Sequence, residues 1–367
     1  MKFTISKTEL SKILQIVSKG MSARSTLPIL AGFYIKAFDG EVTFQSTDLE
    51  VSVKHVANAL VESDGETVVP GKYFFEIVKS LPDAAICCET EGNVFKITCM
   101  DSEFTLNTLE ASDFPSFPEV TADTTADIPL DALSEMVKQV SKAVSKDETR
   151  AVLTGIFFMI EEDTVRLVAT DSYRLTISER KLEKSIVDHF EVIVPGSTFD
   201  DIIRLATGFE KIKVGYTQNQ VVFSFGTSTI ITRKIEGNYP NYQQIIPKEK
   251  TVSMVANTKE LIGAIKRASI LTQDHSPLTF SIDRDAHLLT ISSFSQEIGG
   301  VEEKISVQVE GESIDIGFNH QFILDGLQAV TTEEILFEAQ APLKPGIFKT
   351  IDNSNFFYLT MPVRLNK

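Results

Sequence analysis

Asp171 and Arg174, close together in Ala169-Thr-Asp-Ser-Tyr-Arg-Leu175, are the pair that most invites a catalytic reading. In a cleft between domains, an acid beside a guanidinium would suit hydrolysis of a nucleoside or of DNA. Asp48 holds the matching place in Ser46-Thr-Asp-Leu-Glu-Val51, however. A carboxylate that recurs with the scaffold reads as a turn or strand-end residue. Glu161-Glu-Asp163 reads as a hairpin turn by the same logic. His55, His189, His275, His287 and His320 are scattered, without metal-ligand spacing or a partner carboxylate nearby. No phosphate loop, glycine-rich dinucleotide fingerprint or Gly-x-Ser-x-Gly elbow occurs. Cys87, Cys88 and Cys99 form neither an even disulfide framework nor a metal spacing, and read as reduced thiols of a cytoplasmic protein. The expectation is no catalytic residue, no metal and no cofactor.

Phosphate contact is the chemistry that remains. Lys138, Lys142 and Lys146 recur at helical spacing in a segment running from Glu135 to Ala143 and beyond, with Val137, Val140 and Val144 on the core-facing side. Lys259 and Lys266 oppose Leu261 and Ile265 in a later helix. Lys7, Lys12 and Lys19 decorate an earlier one, and Arg24 follows it. Arg150, just past the lysine run, is grouped with them. One such helix is an ordinary solvated face. Three related ones in a chain of formal charge −16 imply a basic surface on an acidic body. Such a surface suits salt-sensitive, sequence-independent contact with phosphates.

The elements that must position these residues come as an internal repeat. Leu30-Ala-Gly-Phe-Tyr-Ile leads into Ser46–Val51, and Leu153-Thr-Gly-Ile-Phe-Phe leads into Ala169–Leu175 at the same spacing. A fainter copy runs from Pro277-Leu-Thr-Phe-Ser-Ile into Ile291-Ser-Ser-Phe294. Each copy opens with a helix, at Ser6, Pro129 and Asn257, and carries a second one, at Pro70-Gly-Lys-Tyr, Pro195-Gly-Ser-Thr and Phe318-Asn-His-Gln. Alternating strands fill the rest. Asp113-Phe-Pro-Ser-Phe-Pro and Asn238-Tyr-Pro-Asn-Tyr-Gln are matched linkers whose prolines pin an extended crossing. The pattern predicts three similar α+β units of about 120 residues each, bounded at 1–120, 121–249 and 250–367. Strands of adjacent units pairing edge to edge would make a curved array. Unpaired strands at its ends would invite a head-to-tail copy, and two-fold closure would give a ring. With 43% hydrophobic and 23% charged residues among 367, the composition is that of a soluble globular protein. No run of apolar residues is long enough for a membrane span, and Met1–Leu10 reads as a strand and helix start rather than a signal peptide.

Leu27-Pro-Ile-Leu, Ala169–Leu175, Glu236-Gly-Asn-Tyr-Pro-Asn-Tyr and the closing Tyr358-Leu-Thr-Met-Pro-Val-Arg-Leu365, in this order on a threefold repeat, carry a resemblance. The chain resembles the bacterial DNA polymerase III β subunit family, the sliding clamps, over its whole length. The resemblance implies a homodimeric six-domain ring around duplex DNA, with helices inside and sheets outside, that tethers the replicative polymerase without catalysis of its own. It implies as partners the polymerase α subunit, a clamp loader, other polymerases and repair proteins, held through short hydrophobic motifs. The implied groove uses Leu153, Thr170, Ser172, Tyr173, Arg174 and Leu175. The linker adds Pro240, Gln244 and Ile245, and the tail adds Leu359, Met361, Pro362, Val363 and Arg364. Ser172 and Tyr173 stand where many members have Gly-His, Gln244 where Arg is common, and Asn366-Lys367 extend past the usual end. For the dimer, the resemblance implies Phe104 and Leu106 on an edge strand against Ile270 and Leu271 of the other subunit, with Lys72 facing Glu302 or Glu303. Two other classes stand beside this reading: a hydrolase of nucleic acid or nucleotides built on Asp171 and Arg174, and a carbohydrate-binding repeat protein.

Overall fold

The computed structural model describes residues 1–22, 27–120, 124–182, 189–272, 277–351 and 356–365. Arg24 and His275 lie outside the described residues. The chain divides into two compact units, Met1–Asp131 with Ser197–Lys234, and Ala132–Gly196 with Ile235–Lys367. The second sequence repeat contributes to both, because its strands hydrogen-bond into sheets with the first repeat and with the third.

In the first unit, four strands of the first repeat continue into four of the second as one eight-stranded sheet. The seam is the antiparallel pairing of Ser228–Arg233 with Val51–Asn58, with Ile230 opposite Val53. In the second unit, a nine-stranded sheet is joined in the same way. There Phe356–Thr360 pairs with Arg174–Lys181, with Leu175 opposite Leu359 and Thr176 opposite Tyr358. A five-stranded sheet in the first unit ends on the strand Ser102–Asn107, and a four-stranded sheet in the second ends on Gly299–Ser306. Among the described residues, neither of these two edge strands has a partner on its outer side.

The helices follow from local signals. In α1 (Lys7–Val17) the Ser6 side chain caps the Glu9 N–H, and Leu10, Ile13, Leu14 and Val17 are buried. Then come α2 (Gly71–Ser80), α3 (Leu130–Val140) and α4 (Gly196–Leu205). In α5 (Thr258–Ala268) Asn257 caps Glu260, and in α6 (His320–Leu327) Asn319 caps Gln321 and Phe322. The opening helix of each repeat, α1, α3 and α5, is followed by a three-residue 3-10 turn.

That turn corrects the single lysine-bearing helix expected from Glu135 past Ala143. Helix α3 stops at Val140, Lys142 sits in the 3-10 turn Ser141–Ala143, and Lys146 lies beyond it. Tertiary contacts override the helical spacing. The Val144 methyls lie close to the Gly196 backbone, and the Ser145 N–H donates to the Leu153 carbonyl at 2.9 Å. Val137 and Val140 are buried as expected, while Val144 is half-buried.

Helix α6 is tied to the last strand by Tyr358, which is buried and donates its hydroxyl to the Phe322 carbonyl at 2.6 Å. The approach is close because position 326 is glycine: a Cβ there would lie 2.6 Å from the Tyr358 ring. Gly326→Val is expected to cost about 1–3 kcal/mol through overpacking, read as a lower denaturation midpoint. An unchanged midpoint would show that the ring can move aside.

Candidate partner groove and basic helices

The turn between Thr164–Thr170 and Arg174–Lys181 is built by its own side chains. The Asp171 carboxylate accepts the backbone N–H groups of Tyr173 at 2.9 Å and Arg174 at 3.0 Å. The Thr170 hydroxyl donates to the Arg174 carbonyl at 2.6 Å, and Ser172 takes φ 80°. Asp48 makes the same turn, accepting from Glu50 at 3.0 Å and Val51 at 2.7 Å, with Leu49 at φ 76°. Asp171 is thus a turn former, as its repetition implied.

One difference separates the two turns. Position 174 is Arg where the first copy has Val51, so the remaining Asp171 oxygen takes the Arg174 Nε at 2.9 Å. Arg174 Nη1 reaches Asp325 of α6 at 2.6 Å, and its guanidinium lies 4.5 Å from the Phe322 ring centroid. Burial works most strongly against this charge, but the hydrogen bond to Asp325, the contact with Tyr358 and the charge of Asp171 together outweigh it and hold the guanidinium protonated more firmly than usual. Arg174 therefore braces the turn against α6.

The chain end completes the rim. The Met361 N–H donates to the Tyr173 carbonyl at 2.8 Å. The Val363 N–H then donates to Gly317 at 2.8 Å, so Met361 and Pro362 cross from the nine-stranded to the four-stranded sheet. Tyr173 is 60% exposed, Met361 is 40% exposed, and the Tyr173 and Phe322 rings lie 6.3 Å apart. Below them Val168, Leu175, Ile177, Ile347 and Leu359 form a buried apolar cluster. The linker lies against it through Tyr239, Tyr242 and Ile246. Tyr239 stacks on Phe157 at 5.0 Å and donates to the Val168 carbonyl at 3.3 Å. The matched linker of the first repeat does likewise, Phe114 stacking on Tyr34 at 5.4 Å.

The structure thus brings Thr170, Tyr173, Arg174, Leu175, Leu359 and Met361 together. Leu153 is buried at the end of the 3-10 segment Glu148–Thr154. Pro240, Gln244 and Ile245 are exposed on the linker, and Ile246 rather than Ile245 packs on the apolar cluster. Arg364 is exposed and Pro362 half-buried. Phe322, Asp325, Tyr242 and Ile246 were missed. Phe322 and Asp325 sit on a helix far away in sequence with no local motif, whereas Tyr242 lies in the linker repeat and Ile246 just after it, so both could have been suspected from it.

The equivalent seam in the first unit has the same backbone and opposite chemistry. Where the second unit has Val168, Leu175 and Ile177, the first has Gln45, Ser52 and Lys54. Where Tyr173 and Met361 meet, the first has Glu50 and Arg233, with the same backbone bond at 3.0 Å and a side-chain ion pair at 3.6 Å. Lys54 lies over the Phe117 ring at 4.7 Å. One seam presents an ion pair and the other presents Tyr173 and Met361 beside a buried apolar cluster.

Lys138, Lys142, Lys146, Lys259 and Lys266 are exposed. Arg150 is not a free cation: its Nε meets Asp147 at 3.0 Å and its Nη1 donates to the Ser172 hydroxyl at 2.9 Å. Lys19 is paired with Asp201 at 2.8 Å. On the edge strands, Phe104 is 37% exposed; Ile270, after α5, is 77% exposed and Leu271 is half-buried. Glu303 accepts from Arg267 Nε at 2.9 Å and Nη2 at 2.6 Å, and Glu302 meets Lys304 at 2.7 Å, so a contact from Lys72 would share a carboxylate already paired within this chain. Among the described residues, no group of His, Cys, Asp and Glu is placed to hold a metal ion. Among the described residues, no helix is long and apolar enough to cross a membrane.

Comparison with known proteins gives matches to three family models: DNA polymerase III beta subunit N-terminal domain over residues 1–118, central domain over 127–241 and C-terminal domain over 243–364. The beta sliding clamp of Bacillus subtilis is 32% identical, covering 99% of this chain and all of the relative. That of Staphylococcus aureus N315 is also 32% identical, covering 99% of each. Among solved structures, the DNA polymerase sliding clamp from Bacillus subtilis superposes with a TM-score of 0.96 at 32% identity, covering 100% of both chains. A sliding clamp from Pseudomonas aeruginosa bound to griselimycin gives 0.94 at 28%, again over 100% of both.

The bracing by Arg174 makes a graded prediction. Asp325→Asn is expected to lower stability by about 1.5–3 kcal/mol, the range for a hydrogen bond to a charged group. Asp147→Asn, at the exposed Arg150, should cost clearly less, because solvent screens an exposed pair. Denaturant titration of both variants checks the order, and equal losses would remove Arg174 from its bracing role.

Proposed function

The chain belongs to the DNA polymerase III beta subunit family, the DNA sliding clamps, and on that footing we propose how it closes on DNA and holds its partners. The domains are taken as residues 1–120, 121–249 and 250–367. The observation that carries the reading is the rule of the seams. The last strand of the second repeat pairs with the fourth strand of the first, and the last strand of the third pairs with the fourth of the second. The same step leaves Ser102–Asn107 and Gly299–Ser306 for a second copy of the chain. By the registers within each repeat, Phe104 corresponds to Ile230 and Tyr358, and Val301, opposite Ser293, to Val53 opposite Ser46 and Thr176 opposite Ala169. Ile230 pairs with Val53, and Tyr358 with Thr176. Phe104 therefore pairs with Val301 of the partner subunit. Val301 packs toward the core beneath α5, the side on which Ile270 and Leu271 follow that helix. Two copies form two such joints and close a ring of six domains.

Duplex DNA passes through that ring, with Lys138, Lys142, Lys146, Lys259 and Lys266 supplying phosphate contacts that carry no sequence information. The protein is not catalytic; it tethers a polymerase by topology, in the cytoplasm. The groove beside Tyr173 and Met361 takes short peptides with Leu and Phe anchors from the polymerase α subunit, the clamp loader and other replication and repair proteins. Met suits such a slot because its flexible thioether adapts to different guests. The hydrolase reading loses its acid, since Asp171 is consumed in the turn and by Arg174.

After loading onto a circular template by a clamp loader, the protein should stay bound, and one restriction cut should release it rapidly. Equal retention on circle and linear DNA would mean ordinary affinity binding and overturn the ring. Leu271→Glu should give monomers in sedimentation that are not retained on the circle; persistent dimers would displace Leu271 from the interface.

A further inference from the structure

The apolar floor of the groove does not end at the groove. Ile347, one of its members, also lines a cleft beside the linker, walled by Pro247 and carrying Lys248, Lys250, Lys349 and Glu338. Ile246 packs on the floor and the very next residue, Pro247, lines the cleft, so the two depressions share a wall.

The polar end of this cleft has a specific geometry. The Glu338 side chain is 11% exposed, and Lys250 and Lys349 each lie 2.6 Å from a different one of its oxygens. Burial alone would raise the Glu338 carboxyl, but the hydrogen bonds from the two ammonium groups hold it below its usual range. Two cations share one anion, and both lysines remain more exposed than the glutamate. Each ammonium has three donors, so donors are left over after the Glu338 bond. With Lys248 and Glu249 alongside, the cleft has three positive and two negative side chains, in a chain of net charge −16.

We propose that this cleft extends the partner groove and receives a carboxylate, an Asp or Glu flanking the hydrophobic motif of the bound peptide, which bridges Lys250 and Lys349. The inference rests on the groove reading above. Continuity of the apolar wall supplies the path, and the half-neutralised lysine pair supplies the charge complement. The lysines are already positioned by Glu338, so the guest carboxylate does not have to order two long side chains, the cost that makes most exposed ion pairs weak. The first unit's equivalent seam has polar residues where this floor lies, so it offers no hydrophobic anchor beside its own cations.

The test uses the full-length protein and three labelled peptides with the same Leu and Phe anchors, flanked on both sides by Asp, Ser or Lys. Fluorescence anisotropy should give affinities in the order Asp, Ser, Lys, with Asp about two- to fivefold tighter than Ser. Lys349→Gln, which leaves the Lys250–Glu338 pair in place, should abolish that advantage without changing the Ser-flanked affinity. Lys250→Gln, which leaves the Lys349–Glu338 pair in place, should reduce it likewise, because the carboxylate bridges both ammonium groups; a role confined to holding the linker would instead weaken all three peptides alike. Equal affinities for the Asp and Ser peptides, or an advantage that survives Lys349→Gln, would overturn the extension and leave the groove standing. Failure of all three peptides to bind would overturn the groove reading, and the extension with it.

Discussion

The structure depends on the need of an edge strand for a partner. A strand at the border of a sheet exposes a row of backbone donors and acceptors, which must be paired, blunted or covered. Here the two inner borders between repeats are paired, giving sheets of eight and nine strands. Among the remaining terminal strands are Ser102–Asn107 of the five-stranded sheet and Gly299–Ser306 of the four-stranded sheet, neither with an outer partner among the described residues. The two sheets add up to nine strands, the size of the seam already seen in the second unit. Phe104 on one of these edges is an aggregation liability in an isolated chain and an interface anchor in a closed assembly.

Once the seams are fixed, side-chain substitution alone decides what each can do. The backbone bond of Met361 to Tyr173 has its counterpart in that of Arg233 to Glu50. The turn of Asp171 has its counterpart in that of Asp48. One seam carries an ion pair and a lysine on an aromatic ring; the other carries two exposed apolar side chains above a buried cluster. Arg174 has no cationic counterpart at Val51. Its charge is satisfied on both sides, by Asp171 and Asp325, which lets a guanidinium sit under an apolar rim without the penalty of an unpaired buried charge.

Much of this was legible in the sequence, and the reasons differ by element. The threefold repeat showed because paired turns such as Thr47-Asp48 and Thr170-Asp171 need particular side chains to satisfy their backbones, so the pattern survives divergence around it. The linker aromatics showed for a similar reason, each stacking on a strand residue of its own repeat. The end of α3 at Val140 did not show. Lysine spacing reports only a helical period, while the break comes from Val144 and Ser145 meeting residues far along the chain. Phe322 and Asp325 were invisible because their role depends on α6 packing beside the last strand, a contact that no local motif encodes.

The central claim is that the seam rule continues from one copy to the next, and strand register is where it can be tested most directly. Directly opposed residues of an antiparallel pair lie within disulfide range, and a slip of one residue turns the side chain to the other face. Mild oxidation of a Phe104→Cys, Val301→Cys double variant should give covalently linked dimers. Each single variant, and Phe104→Cys with Gly300→Cys, should give none above the background of the native cysteines. Efficient linkage in the shifted pair, or none in either, would contradict the account.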